Sequence, residues 1–275
     1  MAGQLRGLLC AVAALAALPT AAEPVINPVL DDAFTFRMGA IRNEVEGRAT
    51  VSRKPLPVTP IGLDVLGLDE DDVSPWASVR WRFGERWALN FHYDRYENNA
   101  SAEIEDSFNF DGAVFPAGAR VESDLTADAY VMDVSYSVFR GRAYEAGIGL
   151  GLHAFDLDAS LEGTLEIGDN VETLESADRS LIAPVPNLRA YGTYAFSRNL
   201  SVTGSAGWLS ASYEDWDGRF LYLRGTVEYR PWERWGLGLG YQFTDIDIEH
   251  ERGGGDFEKY DIDLRGFQAY IGFSF

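Results

Sequence analysis

Trp235-Gly-Leu-Gly-Leu-Gly-Tyr-Gln-Phe243 alternates without a slip between large apolar residues and glycine or glutamine. A period of two describes an extended strand with one apolar face, because successive side chains point to opposite sides. Similar alternation recurs along the chain, and no helical periodicity of useful length competes with it. It predicts ten strands, over residues 33–51, 75–83, 87–98, 127–139, 144–160, 184–196, 200–214, 219–230, 235–249 and 260–275. Counts of eight or twelve stay open. Four connections are very short, at 83–87, 139–144, 196–200 and 229–235. Those between them are richer in acids, glycine and proline, and three are long: 53–75, 98–127 and 160–184. Within the second, 102–126 is expected to prolong its flanking strands as a hairpin.

The N-terminus has a different character. Arg6 precedes an apolar run over 8–18, and Pro19-Thr-Ala-Ala22 follows. That pattern predicts a secretory signal peptide over 1–22, whose run is too short to span a bilayer. The remaining unit is 23–275. Cys10, the only cysteine, would leave with the signal, so no disulfide or thiolate chemistry is expected of the mature chain. A net charge of −20 excludes the basic face that nucleic acid requires. A mean hydropathy of −0.15 suits a soluble protein, but equally a membrane barrel, in which only alternate residues meet lipid.

The last nine residues, Phe267-Gln-Ala-Tyr-Ile-Gly-Phe-Ser-Phe275, set Phe267, Ala269, Ile271, Phe273 and Phe275 on one face. This segment resembles the last strand of Gram-negative outer-membrane β-barrel proteins. The resemblance extends over the mature chain to small barrels of the OmpA-transmembrane and OmpW types. It implies an all-β, transmembrane, antiparallel up-and-down β-barrel with both termini in the periplasm, short periplasmic turns and longer acidic extracellular loops. It also implies export through the periplasm to the outer membrane, contact with its lipids and lipopolysaccharide, and reading of Phe273 and Phe275 by the barrel-assembly machinery. Phe34, Phe83, Trp87, Phe139, Tyr144, Phe196, Tyr229, Trp232, Trp235 and Phe275 would form the periplasmic aromatic girdle. A soluble, lipocalin-like barrel would instead bury Trp87, Phe91, Tyr93, Leu237 and Leu239, and leaves the girdle and the terminal phenylalanine unexplained.

Parity followed outward along the strands holds while the chemistry inverts. Beyond Phe243, Asp245, Asp247 and Glu249 take the outward face and Ile246 and Ile248 the inward one. Strand five does the same with Asp156 and Asp158 out and Phe155 and Leu157 in, and strand seven puts Leu209, Ala211 and Tyr213 in. Strand one puts Ile41 and Val45 in against Arg42, Glu44 and Glu46. Strand ten puts Ile262 and Leu264 in against Asp261 and Asp263. Five separate β-bulges resetting parity would be the less economical cause. Strands projecting beyond the bilayer, acidic outside and closed by a small apolar plug inside, account for it together. The outer membrane boundary then falls near Gly266.

Nearer the periplasm, Arg37, Arg80, Arg82, Asp94, Asp133, Glu145, Arg189, Arg224, Glu228 and Arg230 are expected inside, with Asn187, Tyr191, Tyr222, Gln268 and Tyr270. Enclosed charges must be paired or hydrated. The pattern implies either a salt-bridged lumen in a barrel with a structural or surface-interaction role, or a narrow porin-like channel for small solutes. An omptin-like surface hydrolase is a further, less favoured reading. Asp156, Asp158, Asp245, Asp247 and His250 would be its candidates, but Asp247 and His250 lack the Asp-x-His spacing of that family. None of His92, His153 or His250 has a serine two residues away, as small-barrel lipid A deacylases require. No catalytic residue, metal site or cofactor is therefore expected. His92, Asp94 and His153 share the lumen without a ligand set. Asp69-Glu-Asp-Asp72 and the rim acids are expected to hold divalent cations only loosely.

Overall fold

The computed structural model describes residues 25–52, 60–68, 72–110, 113–167, 170–213, 215–252 and 256–275. The signal peptide expected over 1–22 and residues 69–71 of the acidic run lie outside them, as do the side chains of Phe155, Leu157, Leu209, Ala211 and Tyr213.

Ten long strands form one antiparallel ring among these residues. They are β1 (Phe34–Ser52), β3 (Asp72–Phe83), β4 (Trp87–Glu103), β7 (Arg120–Arg140), β8 (Tyr144–Ile167), β9 (Asn170–Ala195), β10 (Leu200–Tyr213), β11 (Trp216–Tyr229), β12 (Trp235–Arg252) and β13 (Asp256–Ser274). Each pairs with its neighbour in chain order, and β1 closes on β13 from Thr35 opposite Ser274 to Ser52 opposite Phe257. The final residue is clamped too: Phe34 and Phe275 exchange backbone hydrogen bonds of 2.9 and 3.0 Å, and their rings stack at 5.4 Å. A two-residue strand, β2 (Ile61–Gly62), pairs with β1, and β5 (Phe108–Phe110) with β6 (Ala113–Phe115) forms a separate hairpin.

Alternation sorts the side chains as the sequence requires. Trp87, Phe91, Leu237 and Leu239 are exposed on the outer wall, the reverse of a lipocalin-like barrel. Phe83, Phe139, Tyr144, Phe196, Tyr229, Trp232, Trp235 and Phe275 ring the short-turn end, all exposed. The small inward residues of β12 make room for long ones on β13. A Cβ on Gly238 would lie 2.0 Å from the Tyr270 ring, and one on Gly240 2.7 Å from Gln268 Nε2.

The pairing of β12 with β13, and of β13 with β1, runs unbroken through the chemical inversion, so no bulge resets parity there. Among the described residues, register shifts fall between Ser137 and Phe139 and between Glu162 and Thr164, at the two ends of the β7–β8–β9 ribbon. Val45, Ile246 and Ile248 are buried inside the projecting wall, with Ile262 and Leu264 packed against them.

Two expectations about the long connections need correction. Residues 160–184 do not form a loop: β8 and β9 continue as a paired ribbon from Ser160 opposite Asp178 to Ile167 opposite Asn170. Residues 61–68 do not form a solvated acidic loop either. Asp64 interrupts an apolar run, the chain turns at Gly67 with φ +74°, and Ile61, Leu63, Leu66 and Leu68 are buried inside the outer mouth. One seam of the ring is short. Among the described residues β9 pairs with β10 from Leu188 to Ala195, and just beyond Leu188 stand Pro186 and Pro184, which have no N–H for a neighbour.

Two outcomes follow for the wall. Leu239 is 68% exposed on the lipid face. Leu239→Lys is expected to cost about 2–4 kcal/mol in urea unfolding from lipid vesicles, whereas Asp261→Lys, of the projecting part, should cost less than about 1 kcal/mol. In that acidic collar Asp245 stands opposite Asp263 and Asp247 opposite Asp261. Burial, then the facing Asp245, raises the Asp263 carboxyl above its ordinary value. Its ionisation is disfavoured in the fold, so stability is greatest below the unfolded Asp value and falls as pH rises through the raised one. Asp263→Asn should flatten that decline in unfolding midpoints measured between pH 3 and 7.

Candidate functional site

The interior is layered. In the periplasmic half two buried glutamates act as hubs. Glu145, 1% exposed, accepts from Arg80 Nη2 at 3.0 Å, Arg82 Nη2 at 2.7 Å, Ser137 Oγ at 2.5 Å and Tyr191 O–H at 2.9 Å. Glu228 accepts from Arg37 Nε at 2.9 Å, Arg230 Nε at 2.7 Å and Tyr270 O–H at 3.1 Å. Arg230 also donates to Asp32 at 2.5 Å and Ser274 at 2.9 Å. Asp133 accepts from Arg189 at 2.5 Å and Asn90 at 2.8 Å. Alternation on eight strands turns these groups into the lumen, where shared carboxylates offset the desolvation of several cations.

Arg224 stands apart. Its Nη2 lies 3.1 Å from His92 Nε2, and among the described residues it forms no ion pair with a carboxylate. Asp94 lies 3.7 Å from His92 instead. His153 contacts Asn187 and packs edge-on against Phe220. Among the described residues no three histidine, cysteine or acidic side chains converge as a metal site would require.

Both mouths are stoppered by the chain itself. At the periplasmic end, residues 25–32 fold inward around a short 3₁₀ turn, Pro28–Leu30, capped by Asn27, whose Oδ1 accepts from Val29 N–H at 3.0 Å. Val29 and Leu30 are buried against Ala195. The segment is tied to the rim by Ile26 N–H to the Arg142 carbonyl at 2.9 Å, Asn27 Nδ2 to the Ser197 carbonyl at 3.0 Å and Arg140 to the Leu30 carbonyl at 2.7 Å. At the outer end Leu63, Leu66 and Leu68 join Ile104, Phe108, Phe115, Val121 and Leu161 in an apolar cluster. Between the stoppers lies a cavity of about 300 Å³, with arginines, His92 and Gln268 on its lower wall and leucines and isoleucines above.

The rim acids point elsewhere. Asp245 and Asp247 face outward, 3.4 Å from Arg219 and 3.9 Å from Lys259, while Ile246 and Ile248 between them are buried inside. His250 continues the inward parity. Asp156 and Asp158 lie on β8, four strands away round the ring.

No protein-family model and no curated protein matches the sequence. The solved structure of the outer membrane protease OmpT from Escherichia coli superposes with a TM-score of 0.61 at 7% identity, covering 89% of this chain and 97% of that one. The fold is that of an outer-membrane β-barrel. At this identity the likeness extends to the fold alone. Ail of Yersinia pestis (TM-score 0.37, 8% identity) and neisserial surface protein A (TM-score 0.35, 12% identity) each cover 88% of this chain and 97% of their own, at scores too low to carry an argument.

Parity on the sequence places all ten inward charges but misses the stoppers. The signal for the outer one is present: apolar residues at 61, 63, 66 and 68 inside an otherwise polar connection. Trp76 was also legible, since it shares the parity of Arg80 and Arg82. Val29 and Leu30 carry no comparable mark, because their burial depends on the rim they meet.

Glu145 is the carboxylate for both Arg80 and Arg82. Glu145→Gln should therefore leave two buried cations uncompensated and cost about 3–5 kcal/mol in urea unfolding. Loss of under 1 kcal/mol would show that water, not the carboxylate, holds those charges.

Proposed function

We propose that this barrel of the Gram-negative outer membrane is closed to ions and serves a structural or surface-interaction role. One observation carries the reading: the chain fills both ends of its own lumen, with residues 25–32 below and 61–68 above. Five inward arginines are held by carboxylates at 2.5 to 3.0 Å, so they strengthen the wall instead of lining an open path. The side it presents to the exterior is the projecting collar, whose acids favour divalent cations bridging to lipopolysaccharide phosphates. No hydrolytic role is proposed, since the rim acids point away from the lumen and engage basic neighbours. Phe273 and Phe275 are proposed as the assembly signal. Their rings lie 6.0 Å apart at the closing edge.

Planar-bilayer recording of refolded protein tests closure. No stable unitary current is expected from the wild type, and Leu63→Asp with Leu66→Asp should introduce one only when residues 25–32 are also removed from the lower mouth. Stable wild-type currents, abolished by neutralising Arg80, Arg189 and Arg224, would establish the narrow-channel reading instead.

A further inference from the structure

The cavity between the stoppers contains polar groups that the protein does not satisfy. Gln268 is 3% exposed, yet among the described residues neither its Nε2 nor its Oε1 has a hydrogen-bond partner. The buried Trp76 Nε1 has none either, although its ring packs 5.3 Å from His92 and 5.4 Å from Tyr270. Arg224 Nε is likewise unpartnered; so are Arg80 Nε and Arg189 Nε, but their guanidiniums hold carboxylates through Nη atoms. Gln268, Trp76 and Arg224 line the same cavity. Buried donors and acceptors are ordinarily satisfied, and each one left open is costly. Three together in one cavity describe a site awaiting a polar group.

The charge of that group follows from its surroundings. Arg37, Arg80, Arg82, Arg189 and Arg230 each have a carboxylate within 3.0 Å, whereas among the described residues Arg224 touches only the His92 imidazole and feels the Asp94 carboxylate from beyond ion-pair distance. The missing partner of Arg224 is an anion able to accept from a guanidinium and an indole N–H together. A carboxylate meets that need. Above it the cavity wall is apolar, formed by Leu63, Leu66, Leu125, Leu161, Ile262 and Leu264. A volume of about 300 Å³ lies at the small end of ligand sites, with room for about ten to fifteen non-hydrogen atoms.

We propose that the barrel interior binds a medium-chain aliphatic carboxylate, its head on Arg224, Gln268 and Trp76 and its tail among the leucines of the outer stopper. This rests on the closed-barrel reading, since an open lumen would leave the apolar half in water.

Equilibrium dialysis of refolded barrel in dodecyl maltoside against radiolabelled decanoate or decan-1-ol, with protein-free micelles as blank, tests the proposal. The wild type should retain about one decanoate per barrel and favour it over decan-1-ol about tenfold. Arg224→Gln should reduce decanoate to the level of the alcohol and leave the alcohol unchanged. Leu264→Trp, which fills the cavity, should abolish retention of both. Heat-modifiable mobility on gels checks folding, and Gln268→Leu, an uncharged change expected to weaken decanoate selectively, replaces Arg224→Gln if that variant does not fold. Wild-type retention no greater than the blank, equal retention of acid and alcohol, or full decanoate binding by the folded head-group variant would each overturn the proposal. The bilayer recording is independent of these outcomes. Stable wild-type currents would sink closure whatever dialysis shows, and absent retention in a non-conducting barrel would sink only the ligand.

Discussion

Pairing of β1 with β13 is the constraint on which the rest depends. In hydrocarbon no water satisfies a free N–H or C=O, so a sheet is tolerated there only as a ring without edges. The ladder from Thr35–Ser274 to Ser52–Phe257 removes the last two edges, and the Phe34–Phe275 clamp seals its lower end. With the ring closed, strand alternation becomes a division between two solvents. One residue in two meets lipid, and the other is enclosed in a space too narrow for bulk water.

That enclosed space is resolved differently at different heights. Within the membrane the wall outside is apolar, so charge is confined to the lumen and must neutralise itself there, as it does around Glu145 and Glu228. Beyond the membrane the outside meets water. Acids move to the outer face and apolar side chains take the inner one. The interior is thereby polar below and apolar above, with Arg224 and Gln268 at the junction. An amphipathic interior of this kind follows from the position of the bilayer along the strands.

Most of this architecture was legible in the chain. The lipid face of β12, the aromatic girdle, the inward parity of the arginines and the inversion beyond Phe243 all come from a period of two that backbone geometry enforces. The long connections were not legible in the same way. Residues 61–68 look like a loop because Asp64 and Gly67 interrupt their pattern, and a loop's side chains have no fixed parity. The 160–184 stretch reads as a connection because it is rich in acids, glycine and serine, yet backbone pairing carries it as a ribbon. Composition does not report backbone pairing, which depends on the partner strand.

The sequence by itself determined that the chain forms a barrel, which residues face lipid and which face the lumen, and where the outer surface passes from apolar to acidic. These depend on local alternation, which one strand expresses without reference to any other. Only the tertiary structure decided which carboxylate serves which arginine, that Arg224 has none within ion-pair distance among the described residues, and that residues 25–32 and 61–68 fill the two mouths. Those facts depend on the register and stagger of strands far apart in the chain. No local pattern contains the distance across a closed ring.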